Sequence, residues 1–190
     1  MNHHFYKFKL ILNMHISNLY KKIILFFFFI ILSINAFASE ILKRLDNYVQ
    51  FPNITVLDHK GNQSNLKFNK NLKTKGYVIN FWATWCIPCK KELPDLSLLQ
   101  SKIKKYDIEI LTISIDKKNI EDQIKFLSKN GASNLSHFFD KKMSIFKSLK
   151  LRGIPTTVFV DNKGNVLSIH EGILKWGDEI IVRQVKDLFY

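Results

Sequence analysis

The first apolar run is also the longest. Ile23 to Leu32 gives ten unbroken apolar residues, with Lys21 and Lys22 in front and Ser33-Ile-Asn-Ala36-Phe-Ala38 behind. Shorter runs follow at strand and helix lengths. Asn53 to Leu57 reads as a strand, and Asp58 to Gly61 as a turn with Gly61 free to take positive φ. Tyr77 to Ala83 is nearly all apolar, the pattern of a strand covered on both faces. From Pro88 to about Lys105 the period changes to helical: Leu93, Leu96, Leu99 and Ile103 form one stripe, with Pro94 placed to kink it.

The alternation continues. Ile108 to Ile115 reads as a strand, and Asn119 to Lys129 as a helix with Ile120, Ile124 and Leu127 inward. Ser136 to Phe139 is a short strand and Met143 to Leu149 a short helix. Thr156 to Val160, a turn at Asp161 to Gly164 and Val166 to His170 form a hairpin. Gly177 to Phe189 closes the chain as a helix, apolar at Ile180, Ile181, Val185 and Leu188, and Ser39 to Tyr48 is a candidate short helix. Strands alternating with helices predict an α/β fold with parallel pairing, closed by an antiparallel hairpin.

The opening run is too short to fold with the rest. Residues 1–38 contain no acid and four lysines, Lys7, Lys9, Lys21 and Lys22. A basic flank, a short apolar block and an Ala-x-Ala end have the form of a secretory signal peptide, cut between Ala38 and Ser39. The alternative is an uncleaved anchor, but a span needs about 20 apolar residues. Ile23 to Phe37 supplies 15, interrupted by Ser33 and Asn35. The basic lead is long, and translation from Met14 would give a more usual one. Residues 39–190 then form one domain, exported to the periplasm or held at the inner membrane.

Charge adds less than its size suggests. The chain carries 29 basic and 16 acidic residues, and setting aside the four leader lysines leaves 25 against 16, a formal +9. The lysines are scattered, with no arginine cluster and no basic run interleaved with aromatics, so nucleic acid is not expected as a partner. A solvated lysine-rich surface is the simpler reading.

The chemistry sits in Trp85-Cys-Ile-Pro-Cys89, which holds both cysteines of the chain. A metal site needs four ligands, and His59, His137 and His170 lie at no ligand spacing to one another. A structural staple closing so small a loop stabilises little. A redox couple has a mechanism here. Cys86 falls where a buried strand ends and a helix begins, and the free N–H groups of a helix N-terminus favour a thiolate. Pro88 suits the first turn, where its missing N–H costs nothing. Cys86 is thus the expected attacking thiol and Cys89, deeper in the helix, the resolving one. The metal and staple readings stay open on residues alone.

Phe81-Trp-Ala-Thr-Trp-Cys-Ile-Pro-Cys-Lys90 resembles the active-site stretch of the thioredoxin superfamily. Its Trp-Cys-x-Pro-Cys form behind a signal segment is similar to the exported TlpA/ResA/DsbE group. Arg152-Gly-Ile-Pro-Thr-Thr-Val-Phe-Val160 resembles the cis-proline segment of that superfamily. The resemblance covers about Asn53 to Phe189 and implies a thioredoxin-like fold, a central mixed sheet flanked by helices. It implies that Pro155 is cis beside the cysteines and that Ile154 offers backbone groups to an extended substrate. Trp85, Ile87 and Pro88 would border that substrate, with Trp85 shielding the couple or, on the plainer reading, filling the core. Cytosolic thioredoxins carry a buried aspartate where this chain has Asn80, which cannot titrate. Glu92, one helical turn after Cys89, stands where ResA-like members keep an acid/base glutamate; the plainer reading is a surface residue beside Lys90 and Lys91.

As function, the resemblance implies a monomeric thiol:disulfide oxidoreductase with no bound cofactor or metal. It is kept reduced by a membrane electron donor and reduces client proteins. Apocytochrome c in cytochrome c maturation is the leading client, with exported proteins in general or copper-delivery proteins as alternatives. A thiol peroxidase would need a single activated cysteine in its own pocket. A copper carrier would want more Met, His or Cys near the pair.

Overall fold

The computed structural model describes residues 19–29, 40–47, 49–66, 68 and 73–190. The chain divides into two compact units, Met1–Ser39 and Glu40–Tyr190. In the first, residues 19–29 are helical. Lys7, Lys9, Met14 and the Ala36-Phe-Ala38 cleavage motif lie outside the described residues. Among the described residues no helix is long and apolar enough to cross a membrane.

The second unit is built on an eight-stranded mixed sheet. Its strands are β1 (Val49–Gln50), β2 (Thr55–Leu57), β3 (Gln63–Asn65), β4 (Gly76–Trp82), β5 (Ile108–Ser114), β6 (Ser136–Phe139), β7 (Thr156–Asp161) and β8 (Asn165–Glu171). They lie side by side in the order β1-β8-β7-β4-β5-β6-β2-β3. The pairs β4–β5 and β5–β6 are parallel, while β7 runs antiparallel to β4 and β8 antiparallel to β7. This is the expected thioredoxin-like α/β architecture. The helices are α1 (Ile87–Ile103), α2 (Ile120–Lys129), α3 (Ser144–Ser148) and α4 (Glu179–Phe189).

Every residue of β4 is buried, because helices cover both of its faces. On one face Trp82 stacks on Phe126 of α2, ring centroids 5.7 Å apart, and Asn80 meets Glu92 of α1. On the other, Phe81 meets Phe146 of α3 edge-on at 5.9 Å. Burying such side chains is worth roughly 1.5–3 kcal/mol each, which makes β4 and its covers the centre of the core. Helix α1 runs unbroken through Pro94 and buries Cys89, Glu92, Leu93, Leu96, Leu99 and Ile103.

Three expectations fail, each for a tertiary reason. Residues 40–47 are not a helix. They are strapped down as irregular chain: the Ile41 and Leu42 amides both donate to the Gln184 side chain at 3.0 Å, and the Leu45 amide donates to the Leu167 carbonyl at 2.8 Å. In α2, Leu127 is buried and Ile124 packs half-buried against the core as expected, but Ile120 does not join it and Gln123 is buried in addition. Gln123 is drawn in because its Nε2 donates to the Lys118 carbonyl at 2.8 Å. In α4, Ile180 is exposed and the buried stripe is Ile181, Val182, Val185 and Leu188, offset by the register in which the helix meets α1.

Candidate active site

The carboxyl end of β4 runs straight into the cysteines. After Trp82, the Cys86 amide donates to the Ala83 carbonyl at 3.1 Å, turning the chain so that Cys86 becomes the N-cap of α1. Its sulfur accepts the Cys89 amide at 3.1 Å, so one of the orphaned donors of the helix head points at Cys86 Sγ. Cys86 and Cys89 are joined as a disulfide, S–S 2.02 Å. Cys89 is fully buried and Cys86 5% exposed, the order expected of a resolving and an attacking thiol. Pro88 occupies the first turn, as its missing N–H allows.

Trp85 is not core. It is 64% exposed, and Ile87 between the cysteines is 70% exposed. The disulfide is thus flanked in sequence by two apolar side chains that stand in solvent.

The Ile154–Pro155 peptide is cis. Thr156, the first residue of β7, lies opposite Phe81, so the register sets Pro155 across from the end of β4, at the sheet edge where the cysteines begin. Pro155 is buried and Ile154 half-buried. The Pro155 carbonyl accepts the Gly172 amide at 2.9 Å, and Arg152 forks onto Glu171, fixing both flanks of this loop.

Glu92 is no surface residue: it is 1% exposed. Asn80 Nδ2 donates to its Oε1 at 2.8 Å and Trp176 Nε1 to its Oε2 at 3.1 Å. Burial raises its carboxyl to about 7, against the opposing pull of those two hydrogen bonds. A carboxyl in that range takes up and releases protons at neutral pH.

Two participants escape sequence reasoning. Trp176 is fully buried yet lies 84 positions from Glu92, in a segment without regular structure, and no local pattern marks it. Asp116 just beyond β5 accepts the Thr84 amide at 3.0 Å and its hydroxyl at 2.5 Å, and on the other oxygen the Lys118 amide at 3.0 Å. It thereby pins the loop two residues before Cys86. The clue for Glu92 was present: helical spacing puts it on the stripe of Leu93, Leu96 and Leu99. His59 and His137 line one pocket beside β6, while His170 packs edge-on against Trp176. Among the described residues, no three His, Cys, Asp or Glu side chains gather as metal ligands would.

Known proteins share this arrangement. The AhpC/TSA family matches residues 49–169, from β1 into β8. Thiol-disulfide oxidoreductase ResA of Bacillus cereus (strain ATCC 10987 / NRS 248) is 33% identical over 136 residues, 72% of this chain and 75% of that protein. ResA of Halalkalibacterium halodurans is 28% identical over 138 residues, 73% and 74% of the two chains. Among solved structures, a protein assigned as thiol:disulfide interchange protein DsbE from Chlorobium tepidum superposes with a TM-score of 0.65 at 25% identity, covering 77% of this chain and 99% of that one. A secreted Mycobacterium tuberculosis disulfide oxidoreductase shares the fold, with a TM-score of 0.55 at 18% identity over 70% of this chain and 94% of that one. A third of the aligned residues in common with a ResA protein, and a family match that spans the sheet, place this chain in the AhpC/TSA family as a thioredoxin-like thiol-disulfide oxidoreductase.

Proposed function

We propose that the protein is an exported reductase that passes electrons from a membrane donor to disulfides of client proteins, apocytochrome c foremost, through Cys86 and Cys89. The observation that carries this reading is the disulfide at the head of α1 with the buried carboxyl of Glu92 one turn below it.

In the reduced protein Cys86 Sγ is the thiolate, favoured by the Cys89 amide and the positive end of α1. It attacks one sulfur of a client disulfide. The Cys86–client bond forms, the client S–S bond breaks, and the first client thiolate takes a proton from solvent. Glu92 then accepts the Cys89 proton. The Cys89 thiolate attacks Cys86 Sγ, the Cys86–Cys89 disulfide forms, and the second client thiolate leaves and is protonated. Two electrons pass to the client, and the membrane donor later restores the dithiol. Trp85 and Ile87 supply apolar contact to the client, Pro88 shapes the first turn, and the cis Pro155 leaves the Ile154 backbone free to pair with an extended segment.

Residues 1–38 direct export, with cleavage after Ala38; a mature N-terminus at Ser39 tests this by mass. The function itself is tested by expressing Cys89→Ser, which stops the reaction at the mixed disulfide. Apocytochrome c trapped on Cys86 supports the reading. Trapped copper-delivery proteins would reassign the client. A wild-type couple held oxidised in acid-quenched cells would overturn the direction of electron flow.

A further inference from the structure

Asn80 lies in mid β4, fully buried, at a place where its amide has two tasks and one loose end. Its Nδ2 donates to Glu92 Oε1 at 2.8 Å and to Thr157 Oγ1 at 3.0 Å. Its Oδ1 is buried and has no hydrogen-bond partner among the described residues. Leaving an acceptor so costs about 1–3 kcal/mol, a penalty that asks for a reason.

The reason lies in what Glu92 needs. Its partners are Asn80 Nδ2, Trp176 Nε1 and the Leu174 amide, all of them donors. Three donors suit a carboxylate, which only accepts. A protonated carboxyl carries an O–H and needs an acceptor, and none of the three offers one as placed. An indole N–H and a backbone N–H cannot invert. A carboxamide can, by a half-turn about Cβ–Cγ that exchanges Oδ1 and Nδ2. The Thr157 hydroxyl can follow, since it accepts or donates by rotating its hydrogen.

We propose that Asn80 is a positioning residue whose side-chain amide turns over with the proton on Glu92. Nδ2 faces the carboxylate, Oδ1 faces the carboxyl, the Thr157 O–H reverses to match, and the Nδ2 hydrogens take over the unpartnered place that Oδ1 leaves. This rests on the reading of Glu92 as the proton carrier for Cys89. It explains why an amide serves here: an aspartate would set a second acid against Glu92, and an aliphatic side chain would leave both protonation states short of a partner. Glu92 then keeps one hydrogen bond with Asn80 throughout, accepting from Nδ2 when ionised and donating to Oδ1 when protonated.

The surroundings leave the test clean. Asp95, on the same helix, is the charged group that adds to the rise of the Glu92 carboxyl. Strands β4 and β7 present neutral Asn80 and Thr157. The segment before α4 presents Trp176 and the Leu174 amide. His170 of β8 stands edge-on to Trp176 at 6.3 Å, and burial holds it below the usual imidazole range. In the oxidised protein the cysteines do not titrate.

The experiment is a pH titration of the full-length oxidised protein by NMR, following the Glu92 side-chain carbon and the NOEs from the Asn80 Hδ2 protons to Thr157. The expected result is that these NOEs fade on protonation with the midpoint of Glu92. A second expectation concerns Asn80→Leu, where each form of Glu92 loses one bond, the ionised form the stronger one, so that the midpoint rises by less than about one pH unit. Persistent NOEs across the transition overturn the turnover while leaving Glu92 as a proton carrier. So does a midpoint in Asn80→Leu raised by about one unit or more, the mark of an amide that only donates to the ionised form. A Glu92 carbon that does not titrate between about pH 5 and 9 sinks the proton-carrier reading, and the turnover with it. The NOE measurement needs no variant, so poor folding of Asn80→Leu does not spare the proposal.

Discussion

At the residue scale, Glu92 ties chemistry to stability. Its carboxyl is raised from an ordinary 4.5 to about 7, chiefly by burial. The folded state therefore binds a proton that the unfolded chain releases across that interval, and stability falls as pH rises through it. Full ionisation of a group shifted this far costs about 3 kcal/mol. Urea unfolding of the oxidised protein should thus show stability declining from about pH 5 to pH 8. Glu92→Gln, which cannot ionise, should remove most of that slope and also shift the pH dependence of the reductase rate. An unchanged slope in the variant would show that Glu92 does not titrate in this window. Asp116 works in the opposite sense. Burial opposes its charge, but the Thr84 and Lys118 hydrogen bonds prevail and hold its carboxyl below the usual range. Its contribution is present above the usual carboxylate range and is lost only as acid protonates it. Asp116→Ala should free the Thr84 loop, lowering stability by about 1–3 kcal/mol and slowing attack by Cys86. Full activity in a folded Asp116→Ala protein would show that the pin is not needed.

At the element scale, the head of α1 tunes the couple. Ile87 sits between the cysteines, largely exposed, so its side chain can be changed with little disturbance of packing. A cation there should favour a Cys86 thiolate and stabilise the reduced form. Effects of about 0.3–1 kcal/mol at a helix end correspond to a potential more positive by about 6–20 mV in Ile87→Lys, and as much more negative in Ile87→Glu. Equilibration with glutathione buffers measures both, and identical potentials for the two variants would dismiss the electrostatic account. How well each element was legible follows from the same physics. Strands β4, β5 and β7 and helix α1 carry their own burial in their sequence, as apolar runs or a Leu stripe. Residues 40–47 do not, because what fixes them is Gln184 and Leu167, more than a hundred residues away in the chain. The site divides the same way. Cys86, Pro88 and Cys89 follow from adjacency and helix chemistry. Glu92 was half-legible from its place on the apolar stripe, whereas Trp176 and Asp116 are brought to it only by the fold.

At the scale of the whole molecule, the formal +9 of residues 39–190, 25 basic against 16 acidic, gains meaning from where the topology puts it. The parallel strands β4, β5 and β6 all end at the edge that carries the disulfide, and β7 begins there. Lys90 and Lys91 follow in α1, Lys117 and Lys118 follow β5, and Lys142 and Lys150 lie between β6 and β7, all exposed and, among the described residues, none in an ion pair. Of the acids of this edge, Glu92, Asp116 and Asp140 are buried and Glu171 is engaged by Arg152, while Glu121 and Asp122 in the first turn of α2 stay exposed beside Lys117 and Lys118. Toward the opposite edge, Lys73 pairs with Asp107 and Lys102 with Glu179. Such a field speeds the approach of acidic partners and is screened beyond about 10 Å at 0.1 M salt. Two disulfide peptides that differ only in acidic or lysine flanks should be reduced at rates differing by about tenfold at low salt, the acidic one faster, and the gap should close near 1 M. Reversing Lys117 and Lys118 to Glu should abolish the preference, while reversing Lys104 and Lys105 at the far edge should leave it intact. Equal rates for the two peptides at low salt would mean that client choice rests on Trp85, Ile87 and backbone pairing alone.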